Sequence, residues 1–304
     1  MNKLPESVFH GIVAVVPRNE QVVESTSRGW LNRVDAAQGR FILRASSQVV
    51  RNRFTGCLCS TASLPVACGM RQLSCVMART RRYAVVTGGS GSLGSAITGI
   101  LRADGWEVDA PGSAELDVRR VGEVRAYFSG RDPELLVCAA GLVRDAVLAR
   151  LPEEAWDDVW SVNHAGARDC ARTVIPGMVE RGAGHVVFIS SYSAISPPSG
   201  QAAYAAAKAA LLGLTKDLAC RHGASNVRVN AVLPGFLDTN MTAEISGARR
   251  DQVLADHQLG RFNTCEAVAR FILNLHDHLP HTSGQVFQLD SRCSGGAMDS
   301  MHVP

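Results

Sequence analysis

Tyr83-Ala84-Val85-Val86-Thr87-Gly88-Gly89-Ser90-Gly91-Ser92-Leu93-Gly94 reads as an apolar strand running into a glycine-rich turn that opens a helix. Glycines at such a turn let backbone N–H groups approach a pyrophosphate, and the helix start favours the anion. Because a plain loop has the same composition, the neighbouring sequence decides. Downstream, strands are expected over 83–87, 107–110, 115–118, 135–139, 185–190, 228–233 and 285–289. Helical patterns cover 93–104, 121–128, 153–162, 166–180, 203–222 and 265–276. The alternation predicts an α/β fold: a doubly wound, mostly parallel sheet with helices on both faces. One spacing conflicts with it. Only Pro111 to Ala114 separate the second and third expected strands, whereas a parallel crossover takes about a dozen residues or more. Either the crossover helix is lost or the third strand is a frayed edge piece.

With 304 residues, 46% of them hydrophobic and 19% charged, the chain can bury a full core. A formal charge of +3 is far from the dense basic clustering that tracks phosphates, so nucleic acid is not an expected partner. No apolar run approaches the roughly eighteen residues of a membrane span. The nine cysteines are odd in number and scattered, which fits free thiols in a reducing cytoplasm rather than a disulfide framework. Cys57, Cys59, Cys68 and Cys75 lack knuckle spacing, and the histidines lack supporting carboxylates, so no metal is expected. Trp156 and Trp160 read as a packed helical face, and Arg181 and Arg221 as solvated charges.

Residues 1–80 are rich in Arg and Ser, poor in acids, and show no sustained period. They read as a poorly structured extension, a targeting segment or a mis-assigned start with Met77 as the true one. The Rossmann-type domain is expected over 81–291, and 292–304 as a flexible tail.

Tyr204-Ala205-Ala206-Ala207-Lys208 sets a phenol and an ammonium one helical turn apart on the same face. A free tyrosine has a pKa of about 10, so proton exchange near neutrality asks for a shift worth about 4 kcal/mol. A cation at about 4 Å in an effective dielectric of about 20 supplies that much, so Lys208 is expected to lower the Tyr204 pKa. Ser191 stands thirteen positions before Tyr204, at the carboxyl end of an expected strand, where open α/β folds bind ligands. Its hydroxyl can hydrogen-bond a carbonyl oxygen while Tyr204 delivers the proton. Ser193 is the second-choice hydroxyl.

With the turn, Ser191 and the Tyr204–Lys208 pair in this order, the chain resembles the short-chain dehydrogenase/reductase family over about 210 residues, from Arg82 to Ser291. The family's turn reads T-G-x-x-x-G-x-G, and Ser92 stands at its middle glycine. The resemblance implies a Rossmann fold and a catalytic set of Asn163, Ser191, Tyr204 and Lys208, with Asn163 holding a water that links Lys208 to solvent. It implies a cofactor site made by Gly88, Ser90, Gly91, Ser92, Leu93 and Gly94 on the turn, with Asp117 and Val118 at the adenine. Ala139, Ala140 and Gly141 would continue that site, along with Pro234, Gly235, Leu237 and Thr239 near the nicotinamide and with Tyr204 and Lys208 themselves. Cys138-Ala139 replaces two asparagines of the family, so a weaker central strand is expected.

NADPH is the favoured cofactor and NAD the alternative. Gly112 stands where an acid would bind the NAD ribose, while Asp109 is expected to point elsewhere. Phrases such as Gly200-Gln201-Ala202-Ala203-Tyr204 and Pro234-Gly235-Phe236 resemble 3-oxoacyl-(acyl-carrier-protein) reductases of fatty acid synthesis. That resemblance implies a small-molecule or carrier-bound carbonyl substrate and a homo-oligomer, a dimer or a tetramer. A general carbonyl or hydroxy-compound dehydrogenase is the alternative, ahead of a sugar-nucleotide epimerase or dehydratase and of a cofactor-binding regulator without turnover.

Overall fold

Strands buried along their whole length decide the layers of this protein: every residue of Leu135–Cys138 and Gly184–Ile189 is buried, so both faces of the sheet are covered. The computed structural model describes residues 12–15, 31–35, 40–43, 82–243 and 245–292. The chain divides into two units, Met1–Ala78 and Arg79–Pro304. In the first, β1 (Ile12–Val15), β2 (Leu31–Asp35) and β3 (Arg40–Leu43) form an antiparallel sheet in the order β1-β3-β2. Residues 1–80 show no sustained period, and the poorly structured extension expected there did not include this sheet. The rest of the expected extension, the Cys57–Cys75 group and residues 293–304 lie outside the described residues.

The second unit carries β4 (Tyr83–Thr87), α1 (Ser92–Ala103), β5 (Glu107–Asp109), α2 (Val121–Phe128) and β6 (Leu135–Cys138). It continues with α3 (Glu153–Trp160), α4 (Ala167–Arg181), β7 (Gly184–Ile189), α5 (Ala202–His222) and β8 (Val227–Leu233). The helices α6 (Gly247–Ala255) and α7 (Cys265–Asp277) then lead to β9 (Val286–Gln288). Six parallel strands order as β5-β4-β6-β7-β8-β9. On one face Val85, Leu136, Val186 and Val229 meet α2, α4 and α5 through Val124, Ile175 and Leu211. On the other, Ala84, Val86, Val137 and Val187 meet α1 and α7 through Ile97, Leu101, Val268 and Ile272. This is the doubly wound Rossmann arrangement.

Two expectations are corrected. No strand forms over 115–118: the chain turns there, with Leu116 N donating to Gly112 O at 3.0 Å. Four residues cannot carry a crossover, so Leu116 and Val118 bury their side chains in the core instead, and β5 becomes the sheet edge. The helices expected over 153–162 and 166–180 are continuous, joined by a π-helical turn at Ser161–Gly166. The missed helix α6 starts at Ser246, whose hydroxyl accepts from Arg249 N at 3.3 Å.

Candidate active site

At the carboxyl edge of the sheet, β4 ends in a turn whose backbone leaves no room for a side chain at Gly88, Gly89 or Gly94. Gly88 has φ +71°, and a Cβ there would lie 2.7 Å from Ala140 Cα. A Cβ on Gly94 would lie 2.2 Å from Gly88 O, so the first turn of α1 sits directly on the loop. Gly91 caps α1 without any side-chain hydrogen bond, leaving the first N–H groups of the helix to face an anion. Ser92 opens the helix, and its hydroxyl accepts weakly from Asn240 N at 3.5 Å.

A continuous cavity of about 1220 Å³ runs from this turn across the carboxyl ends of the strands. Gly88, Ser90, Gly91, Ser92, Leu93 and Gly94 line it at one end, with Asp117 and Val118. Ala139, Ala140 and Gly141 form its floor, and Pro234, Gly235, Leu237 and Thr239 a further wall. Asp117 is held below the usual carboxylate range by the hydrogen bond from Arg119. Asp109 turns away: its carboxylate accepts from Tyr83 Oη at 2.7 Å and Arg131 Nε at 3.1 Å. The expected register of β5 therefore stands, and Asp109 is spent on the rim of the sheet. Cys138 buries its thiol against Ala167 O at 3.7 Å, and the Thr87 hydroxyl accepts from Ala140 N at 3.4 Å. These bonds tie β6 to its neighbours where the family's asparagines are absent.

Ser191, Tyr204 and Lys208 line the middle of the cavity. Ser191 follows β7, and its hydroxyl accepts from Ser193 N at 3.1 Å and is hydrogen-bonded with Tyr204. Tyr204 lies in the first turn of α5, packed with Trp156 and Trp160 of α3 as expected for a helical face. Lys208 is almost wholly buried, 5.6 Å from the Tyr204 ring centre, and donates to Ile189 O at 2.9 Å. Burial pushes the phenol up to about 12; the Ser191 hydrogen bond pulls it down and Asp145 raises it. Burial also pushes the Lys208 ammonium down to about 8, with the Cys138 thiol acting the other way. The expected lowering of Tyr204 by Lys208 is thus corrected. Desolvation outweighs a cation whose own charge is penalised by the same burial.

Asn163 sits in the π-helical turn and does not line the cavity. Its Nδ2 donates to Leu142 O at 2.6 Å and Val159 O at 2.9 Å, and its Oδ1 accepts from Leu142 N at 3.3 Å. Through these three bonds the amide pins the loop after Gly141 to the helix. The π turn makes that reach possible, and such turns recur at functional sites.

A family profile described as enoyl-(acyl carrier protein) reductase matches residues 101–291. A 3-oxoacyl-(acyl-carrier-protein) reductase of Chlamydia trachomatis is 30% identical over 237 residues, which cover 69% of this chain and 96% of that protein. The chain belongs to the short-chain dehydrogenase/reductase family. Similarity extends to the 3-oxoacyl-(acyl-carrier-protein) reductase of Thermotoga maritima, 41% identical over 158 residues, 52% of this chain and 64% of that protein. The Escherichia coli protein of the same description is 28% identical over 235 residues, covering 69% and 96%. As a family member the chain is an NAD(P)-dependent oxidoreductase acting on C=O and CH–OH groups.

The residues fit the family's dinucleotide. A turn closed to a Cβ at Gly88, Gly89 and Gly94 brings its backbone N–H groups forward as anion ligands, and the buried Lys208 ammonium, with three hydrogens, has only Ile189 O as an acceptor among the described residues. Several lining residues escaped the sequence reading. Gln201 donates to Asp145 at 2.9 Å and accepts from Ser193 Oγ at 2.9 Å, so the second-choice hydroxyl is held in a bridge rather than offered to a ligand. Arg292, assigned to a flexible tail, lies against Tyr192 beside Ser191. No local pattern signals either contact. The histidines and cysteines of the described residues form no cluster that would hold a metal.

Proposed function

We propose that this protein is an NADPH-dependent 3-oxoacyl-(acyl-carrier-protein) reductase of fatty acid biosynthesis, turning a β-keto thioester into its β-hydroxy form. The observation carrying this reading is the meeting of Ser191, Tyr204 and Lys208 in one cavity with the glycine turn. The nicotinamide supplies the hydride. Ser191 donates to the carbonyl oxygen and polarises it, and Tyr204 gives that oxygen its proton. A phenol raised to about 12 keeps its proton at neutral pH, the state a donor in the reductive direction requires. Lys208, one helical turn away, places positive charge near the phenolate left behind. Asn163 positions the loop that borders Lys208: a Cβ on Gly141 would lie 3.2 Å from Asn163 Oδ1 and 3.8 Å from Lys208 Nζ.

Preference for NADPH over NAD rests on the segment after β5. Asp109 is committed elsewhere, and a Cβ on Gly112 would meet Ser90 Oγ at 2.8 Å, so hydroxyl and backbone groups stand where an acid would repel a ribose phosphate. NAD is the weaker alternative cofactor. The working form is a homo-oligomer, a dimer or tetramer built through α5 and β9. Ala206, Ala209, Ala210 and Leu212 of α5 stay partly exposed, which supports this, since an apolar patch of that kind is a common subunit contact. The place of action is the cytoplasm; no helix among the described residues is long and apolar enough to cross a membrane.

The test is NADPH oxidation by the purified protein with acetoacetyl-CoA, butanone or a nucleotide sugar as partner substrate. The thioester should win by at least about tenfold in kcat/KM. Turnover confined to the nucleotide sugar would overturn the reading, and a preference for butanone would favour the general carbonyl dehydrogenase.

A further inference from the structure

The last described residue reaches back into the catalytic cavity. Arg292 stacks its guanidinium on the Tyr192 ring, 3.6 Å from the ring centre, and both side chains line the cavity next to Ser191. Behind it, Arg292 Nε and Nη2 pair with Asp290 Oδ2 at 2.7 and 2.6 Å, and the Asp290 carboxylate is wholly buried. Asp290 in turn backs the loop after β8, since a Cβ on Gly235 would lie 2.6 Å from Asp290 Cβ. The backbone is clipped as well. His257 and Arg292 form an antiparallel bridge, Gln258 N donates to Ser291 O at 3.3 Å, and Gln288 Nε2 donates to Arg292 O at 2.7 Å.

A guanidinium has five N–H donors in a rigid fork. Two of its nitrogens serve Asp290, one face lies on Tyr192, and Nη1 has no acceptor among the described residues. The group is held by Asp290 and Tyr192 in a side chain that lines the cavity. Holding a long side chain in this way removes most of the entropy cost of using it on a ligand.

We propose that Arg292 is a specificity-determining residue, whose Nη1 edge takes a second acceptor oxygen of the substrate, borne beside the carbonyl that Ser191 and Tyr204 reduce. The site then selects ketones carrying a thioester carbonyl or a carboxylate over plain ketones. This rests on the carbonyl-reductase reading above and adds to it the feature by which the substrate is recognised.

The experiment measures kcat and KM with NADPH for acetoacetyl-CoA, acetoacetate and butanone in the wild type and in Arg292→Met. Since removing Arg292 leaves the buried Asp290 carboxylate unpaired, the double variant Asp290→Asn, Arg292→Met is measured beside it and is used if the single variant does not fold. The selectivity for acetoacetyl-CoA over butanone should fall about ten- to a hundredfold, mainly through KM. If the acceptor is recognised through its charge, the loss will be larger for acetoacetate than for the thioester; a loss of equal size marks a hydrogen bond. Either form supports the assignment. A selectivity ratio kept within about threefold, whatever the fall in overall rate, would show a purely structural clamp and overturn it. Wild-type protein inactive on all three carbonyls would overturn the carbonyl-reductase reading and this assignment together.

Discussion

Both ends of the parallel sheet bury titratable groups, and they do so in opposite ways. At the amino edge, His185 of β7 is wholly buried, with Nε2 3.0 Å from Asn230 Nδ2 and Nδ1 3.4 Å from His276 Nδ1. His276 reaches Glu134 at 3.2 Å and meets the edge of Trp106, over which Arg82 stacks. Burial holds His185 well below its usual range, and the His276 hydrogen bond holds Glu134 below its own. His185 and His276 there each have a partner at both ring nitrogens. At the carboxyl edge, half-buried Tyr204 and buried Lys208 have one named partner apiece and face a cavity. Burial alone therefore does not mark a reactive site. Burial with unfilled hydrogen-bonding capacity beside open space does, because that capacity is where a ligand recovers the desolvation cost.

The contrast breaks most easily at Tyr204. In Tyr204→Phe the reduction rate should fall about a thousandfold, with the nucleotide Kd kept within about threefold; undiminished turnover removes the phenol from the chemistry. Next comes pH. Lys208 has its folded pKa lowered to about 8, so it carries its charge below that pH and loses it above. The kcat/KM for reduction should decline about tenfold per pH unit above roughly pH 8, and a profile flat to about pH 10 would show that Lys208 keeps an ordinary pKa. In Lys208→Arg, which stays charged, that alkaline limb should vanish even if the rate is low throughout.

At the opposite end the expected effects fall on stability. His276→Ala strands His185 and Glu134 and should cost about 1–3 kcal/mol in urea unfolding while leaving kcat intact. A lost kcat would show that the two edges are coupled. The smallest effect concerns acid. Glu134 has a folded pKa below its unfolded one, so its stabilisation is present above the unfolded value and is lost as the pH falls through the folded value. Glu134→Gln should flatten that part of the acid unfolding profile, measured by circular dichroism.

The carboxyl edge was more legible in the sequence than the amino edge. The glycine turn from Gly88, the segment Ala139 to Gly141 and the loop from Pro234 line one cavity because each follows a strand, and strand ends are visible as the limits of apolar runs. The Ser191–Tyr204–Lys208 spacing was legible for the same reason, being set by one strand end and one helical turn. The His185–His276–Glu134 contact joins residues far apart in the chain, and nothing local in the sequence signals it. The gap at 111–114 announced a conflict, but only packing settled it, by sending Leu116 and Val118 into the core. The π turn around Asn163 was not legible either: an extra residue shifts the helical face by about 100°, and such a phase break reads as the end of one helix and the start of another.

Local periodicity, turn chemistry and spacing were enough to determine the doubly wound architecture, the glycine turn at its sheet edge and the nearness of Ser191, Tyr204 and Lys208, because each depends on residues close together along the chain. The sign of the Tyr204 shift, the partners of Asp109, the loop contacts of the Asn163 amide and the return of Arg292 onto Tyr192 were decided only by the tertiary structure. They depend on how much water is excluded and which distant groups arrive, and both follow from packing among segments that the sequence keeps far apart.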